Sequence, residues 1–393
     1  MPGRRLALIV KFLFLVGIVA VGLIRGQSAD FTVEGLAVQV HGFASQAFLA
    51  SNQNNYLTMP TSEGSFAFTD FGGNISVQVT GKFRVGAQVY DRNMGQLGNW
   101  VPELDWASGD YRFKDWFGIR AGKVKTVIGL DNDTQDLESL HTWALLPQSI
   151  YPLDLRGTRI AHVGGDFYGD INLQRLGSLA YTAWAGLILN DPNGGAAAYN
   201  SNQTRNARSE GGDLRWNTPL SGFLAGVSYI NSVSRGMAID TLGLPYTSRT
   251  RKEGTAQFYV QYVHNGLTLA AEYRRAYADK LVFDVVMPPE TWTDNRSVYG
   301  SASYRISKRV EIGAYYSRFY GNWTWNLNDP ANHIFDKVAT LRLDLTNHWD
   351  LKIEGHFMNG YAADSLRGFY IQDNLQGFKP NTNLLVIRTG IQF

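Results

Sequence analysis

Between about residue 36 and Phe393 the chain repeats one rhythm: alternating segments joined by a tight turn, then a long connection, then a tight turn again. The spacing predicts strands over 36–50, 73–81, 82–92, 104–113, 116–124, 157–173, 178–190, 206–217, 222–235, 253–264, 266–280, 295–306, 309–321, 334–346, 350–361 and 383–393. Tight connections fall at Thr80-Gly81-Lys82, Lys114-Asp115, Leu176-Gly177, Thr218-Pro219-Leu220-Ser221, Asn265-Gly266, Ser307-Lys308 and Asn347-His348-Trp349. Long ones fall at 51–72, 93–103, 125–156, 191–205, 236–252, 281–294, 322–333 and 362–382. Sixteen antiparallel strands with all short turns at one rim are the pattern of an all-β, transmembrane barrel.

Alternation within the strands assigns the two faces. Ala339, Leu341, Leu343 and Leu345 share one, and Thr340, Arg342 and Asp344 the other; the same period of two sets Leu351, Ile353 and Phe357 against Lys352, Glu354 and His356. The second face is too polar for a protein core. Arg275 and Arg318 fall on the apolar face, but each lies two residues after a tyrosine, the order of an interfacial girdle.

Composition supports strands over membrane helices. Of 393 residues 44% are hydrophobic and 18% charged, and beyond the first 29 no apolar run is long enough for a spanning helix. No linker divides 30–393, which reads as one domain. Residues 1–29 have the form of a secretory signal peptide: Arg4, Arg5 and Lys11, the apolar stretch Phe12 to Ile24, then Gly26-Gln27-Ser28-Ala29. A retained amino-terminal anchor is the alternative. Cleavage after Ala29 removes four basic and no acidic residues, taking the formal charge from +2 to −2, which excludes a polybasic nucleic-acid binder. With no cysteine, neither disulfides nor thiolate chemistry is available.

The last strand places Leu385, Ile387, Ile391 and Phe393 on one face and Val386, Arg388 and Gln392 on the other. A final amphipathic strand ending in an aromatic resembles those of bacterial outer-membrane β-barrel proteins. The resemblance implies an outer-membrane location, lipid around the barrel, and recognition of this strand by the barrel-assembly machinery.

The third long connection carries the most chemistry. Its sequence, Gly122-Lys123-Val124-Lys125, then Gly129-Leu130-Asp131-Asn132-Asp133-Thr134, then Leu146-Pro147-Gln148-Ser149-Ile150-Tyr151, is similar to the third-loop region of Gram-negative porins, general or phosphate-selective in type. That resemblance implies a third loop folded into the lumen, a homotrimer, and passive diffusion of small hydrophilic solutes or ions without a cofactor. Gly42 and Ala44 in the first strand would then allow close approach of a neighbouring subunit.

From the residues themselves, Asp131, Asp133, Asp136 and Glu138 bring acceptors into the connection, and 134–145 is expected to form a short helix capped by Asp133 or Thr134. Arg84, Arg112 and Arg120 fall on the polar face of three consecutive strands and, with Lys123 and Lys125, would oppose the acids across a constriction. The plainer alternative is that these arginines pair with Asp110 or loop acids to hold the wall, and that the Asp-Asn-Asp-Thr run is turn chemistry. Glu272 with Arg274, Asp344 with Arg342 and Glu354 with Lys352 are expected to be structural lumenal pairs.

Metal and catalytic readings are thin. Asp131-Asn132-Asp133 starts like a calcium loop without its glycine and terminal glutamate. Ser139 and His141 lack a placed third group. The Gly-Gly pairs at 72, 164, 194 and 211 read as turn, bulge or close-packing glycines, and Trp100, Trp292, Trp323 and Trp325 as loop packing or girdle with stacking on solute as the alternative. A diffusion channel leads; an outer-membrane hydrolase and a loop-closed receptor or structural barrel are the rivals.

Overall fold

Strands form wherever the alternating pattern runs long enough to cover one apolar and one polar face, and their ladders close on themselves. The computed structural model describes residues 29–33, 35–189, 203–239, 245–283, 290–363 and 365–393. A short strand β1 (Ala29–Val33) precedes sixteen long ones: β2 (Leu36–Ser51), β3 (Ser65–Thr80), β4 (Phe83–Met94), β5 (Glu103–Lys114), β6 (Phe117–Lys125), β7 (Ala161–Asn172), β8 (Ser178–Ile188), β9 (Gln203–Asn217), β10 (Phe223–Ile239), β11 (Pro245–His264), β12 (Leu267–Phe283), β13 (Glu290–Ser307), β14 (Val310–Tyr320), β15 (His333–Asp344), β16 (Trp349–Asn359) and β17 (Asn381–Gln392). Each pairs antiparallel with the next, and β17 pairs with β2, so the sheet is a closed sixteen-stranded barrel.

Closure is completed by the last residue. Gly42 and Phe393 exchange backbone hydrogen bonds of 3.0 and 2.9 Å, and the Phe393 ring lies where a Cβ on Gly42 would stand. Gly42 therefore makes room for the chain's own terminus. β17 stops there, which would leave the start of β2 as an open edge; β1 folds back to pair it, Val33 with Leu36 through Ala29 with Val40. The expected leader, 1–29, lies outside the described residues except for Ala29.

Two differences from the expected boundaries matter. β3 begins at Ser65, eight residues before the expected start at 73, because the stretch from Ser65 pairs with β2 and, from Phe68 on, also with β4. β10 to β13 run 17, 20, 17 and 18 residues, so much of the expected connections at 236–252 and 281–294 is ladder. The expected fourth connection lies largely outside the described residues.

The outer surface carries Val89, Leu104, Phe167, Leu214, Phe258, Val260, Leu269, Ile312, Ile353, Phe357 and Leu385, all exposed. So continuous an apolar belt has the pattern of the outward face of a transmembrane barrel. The inner face is polar at mid-height but apolar toward the long connections, which pack there: Leu57, Met59, Leu97, Leu145 and Phe369 bury against Leu49, Phe68, Met94, Phe319, Met358 and Val386. The expectation of an inward face too polar for any core is thus corrected at that end.

Candidate pore constriction

The connection from Thr126 to Ile160 reaches inward-facing residues of strands on opposite sides of the barrel, which a segment can do only from inside. On one side Arg156 pairs with Asp105 of β5 at 2.9 Å and stacks 3.7 Å over the Tyr90 ring of β4. Asp136 pairs with Lys125 at 2.8 Å and accepts from Gln88 of β4 at 2.5 Å. At the middle, Ser228 of β10 accepts from the Gly129 N–H at 3.0 Å, and Arg215 of β9 donates to the Gly129 carbonyl at 2.8 Å. Tyr151 donates to Glu272 of β12 at 2.6 Å, where Tyr299 and Gln257 also converge. On the far side Arg342 of β15 donates to the Ser139 and His141 carbonyls, both at 2.7 Å. Glu354 of β16 accepts from the N–H groups of Ala144 and Leu145 at 3.0 Å, and Lys352 pairs with Glu138.

Those anchors explain why the expected helix over 134–145 does not form. Side chains of the wall take the backbone N–H and C=O groups that a helix would need, leaving a single 3-10 turn at Glu138–Leu140 and an extended His141. Two of the three expected wall pairs also change partners. Glu272 takes the three donors above while Arg274 donates to the Ile150 carbonyl at 3.2 Å, and Lys352 and Glu354 each hold the loop. Arg342 and Asp344 do pair, at 2.7 Å.

The basic residues part company. Arg84, Asp110, Arg120 and Asp166 stand in register on β4, β5, β6 and β7, with Arg84–Asp110 at 3.6 Å and Arg120–Asp166 at 2.8 Å. The expected basic ladder is therefore an alternating row, positive, negative, positive, negative. Arg120 also lies 4.7 Å over the Tyr168 ring. Arg112 sits nearer the short-turn rim with Asp170 and Asp115 at 3.5 and 3.6 Å. Lys123 is in register with Ala107 and Val163 on the outer face and donates to the Leu104 carbonyl at 2.5 Å, so it stands apart from the group. Lys125 lies inside, between the Asp133 carbonyl and the Asp136 carboxylate.

The loop acids differ from one another electrically. Burial and the neighbouring Asp133 push Asp131 up to about 7, against the pull of Arg215. Burial also opposes ionisation of Asp136 and Glu138, but Lys125 and Arg156 beside the first, and Lys352 and Arg388 beside the second, hold both below the usual carboxylate range. Burial pushes His141 down to about 4, so its ring is neutral at neutral pH. That ring contacts the Thr134 carbonyl at 3.0 Å while Ser139 donates to Gln392, so the two do not bond to each other.

Part of the wall is left uncovered by the loop. The Arg84 and Arg112 side chains, although directed into the barrel, are 55% and 47% exposed. The alternating spacing of the sequence made Arg84, Arg120 and their expected wall partner Asp110 visible; Asp166, the anchors Arg156 and Glu354, and Arg388, which donates to the Ala144 carbonyl at 2.9 Å, needed register and loop path, which spacing does not encode.

No family model and no curated protein matches the sequence. Solved structures do match in fold. OmpT of Vibrio cholerae, which has also been solved in a trimer form, aligns with a TM-score of 0.60 at 8% identity over 93% of this chain and 100% of its own. OmpF of Salmonella typhi, in complex with daunomycin, gives 0.57 at 13% over 93% and 100%, and an anion-selective porin from Comamonas acidovorans 0.53 at 11% over 91% and 100%. Identities this low speak for the fold alone: the closed sixteen-stranded antiparallel sheet of this chain is the fold of porin-like outer-membrane barrels.

Proposed function

We propose that the chain is an outer-membrane channel for passive diffusion of small hydrophilic solutes and ions, constricted by residues 125–156 and acting without catalysis. The observation that carries this function is the charged row on the inner wall, in which Arg84 and Arg120 stay 55% and 24% exposed: charge on an inner wall stays accessible only where the lumen holds water. The constriction set is Arg84, Arg112, Arg120 and Lys125 on the wall side, with Asp131, Asp133, Asp136 and Glu138 on the loop. A homotrimer, an amino-terminal export signal and delivery by the barrel-assembly machinery complete the proposal, the first in keeping with the trimer form of OmpT.

Single-channel recording of the refolded protein in a planar bilayer tests it. Steady open steps in potassium chloride are expected. A barrel that is folded by its gel mobility yet electrically silent would replace the channel with a loop-closed receptor or an enzyme.

A further inference from the structure

Inside the barrel Arg120 meets Asp166 and Arg342 meets Asp344. A second set of cations points outward. Register ties its members to one face: Arg275 of β12 stands opposite Arg296 of β13, Arg318 of β14 opposite Val298, and Lys337 of β15 opposite Tyr316. That face carries Leu269, Val298, Ile312 and Leu341, and on each strand the cation lies nearer the long connections than its apolar neighbour. The cations thus stand where the apolar belt ends.

They outnumber the acids beside them. Asp294, on the same face, accepts from Arg275 at 2.9 and 3.0 Å and from Arg296 at 3.0 Å, so one carboxylate serves two guanidiniums. Arg318 donates to the Tyr316 hydroxyl at 2.9 Å and Lys337 is exposed; neither makes an ion pair among the described residues. The other acid among the described side chains of this face on β12 to β15 is Asp279, which stands in register with Lys252 of β11. Four cations therefore share one carboxylate. The surplus is one-sided: at the same rim β3 and β5 present exposed Phe66, Phe71 and Leu104.

Aromatic rings hold the forks in place. The Arg296 guanidinium lies 4.2 Å over Trp323, and that of Arg318 5.1 Å over Tyr316 and 5.2 Å over Phe335. Arg296 faces Tyr320, which faces His333, four residues before Lys337. Two strand spacings across and four residues along put the ends of the patch roughly 16 Å apart. A single phosphate is too small for that span. Guanidinium forks match phosphate oxygens, and cations bordering an apolar surface attract anionic headgroups.

We infer that this face of β12 to β15 binds a bilayer lipid whose headgroup carries more than one phosphate, with its acyl chains along Leu269, Val298 and Ile312 and its phosphates at Arg296, Arg318 and Lys337. The surface rests on the transmembrane reading of the barrel and not on conduction. It is separate from the lumen, since the whole patch lies on the opposite face of the sheet.

Native mass spectrometry tests it, on the refolded barrel released from detergent micelles that hold equal amounts of cardiolipin, with two phosphates, phosphatidylglycerol, with one, and phosphatidylcholine. Cardiolipin is expected to be retained at least tenfold over phosphatidylcholine, with phosphatidylglycerol between. Arg318→Gln together with Lys337→Gln should cut that preference at least fivefold. Arg318→Lys, which keeps charge but loses the fork, should cut it less, and Arg175→Gln, in an exposed turn at the other rim, should leave it unchanged. If the double variant fails to fold, the two single glutamine variants carry the comparison. Equal retention of the three lipids, or one preference in all variants, overturns the surface; so does release of cardiolipin by excess sodium phosphate, which marks a site for free anions. Flotation with phosphatidylcholine vesicles keeps the two readings apart: a barrel that floats but prefers no lipid keeps its membrane and loses the surface, and one that never floats loses both.

Discussion

If the barrel conducts as proposed, wall-holding and ion selection are the same interaction at Arg120. Its guanidinium is committed to Asp166 at 2.8 Å, yet 24% of the side chain is open to the lumen while the Asp166 side chain is fully covered. Removing the cation uncovers one negative charge in an otherwise balanced row, so Arg120→Ala is expected to shift reversal potential toward cations in a salt gradient without unfolding the barrel. An unchanged reversal potential would exclude Arg120 from selection. Asp131 makes a second residue-level prediction. Its folded-state value of about 7 lies above the ordinary 3.8, so its protonated form is the one that folding favours. The stability it contributes is full below about pH 4 and is lost as pH rises through about 7. Asp131→Asn should therefore flatten the fall in urea midpoint between about pH 4 and pH 7; a parallel fall in both proteins would refute the assignment.

Elements separate what alternation can announce from what it cannot. A period of two, with polar Arg342 beside apolar Leu341, names both faces of β15 from the residues alone, and tight turns such as Asn265-Gly266 fix the order of hairpins; hence strand number, pairing and faces were legible. The start of β3 was not, because Ser65 to Phe71 is nearly as apolar on both faces. The third connection was legible as long and acidic, not as a path, since its conformation is set by wall groups far away in sequence. Glu354 is the test of that dependence. Its carboxylate holds two loop N–H groups at 3.0 Å, each bond to a charged group being worth about 1.5–3 kcal/mol. Glu354→Ala should release residues 138–146 while the sheet persists, raising single-channel conductance and its noise; conductance equal to the parent would mean that the loop is held without it. The mid-strand glycines follow the same division. Gly72 and Gly211 were legible as turn, bulge or close-packing glycines and Gly226 was not singled out; only the structure shows that Trp184 lies over Gly211, Phe43 over Gly72 and Tyr259 over Gly226, each ring filling the gap left by a missing Cβ.

The whole molecule depends on one more such pair. A barrel has no edge only if its first and last strands meet, and here they meet with Phe393 seated on Gly42 and β1 covering the part of β2 that β17 does not reach. Phe393 is thus a structural wedge at the seam. A side chain at Gly42 would displace the ring and strain the two backbone bonds beside it, a cost of about 1–3 kcal/mol by analogy with overpacked cores. Gly42→Val is expected to lower both the yield of folding into lipid vesicles and the urea midpoint. Phe393→Ala alone should also weaken closure, by loss of the ring. Because the two residues share one space, their effects should not add: in Phe393→Ala the further change Gly42→Val should cost little, since the ring it would strike is gone. Strictly additive losses would mean that Gly42 and Phe393 act independently, with the seam held by its backbone ladder alone.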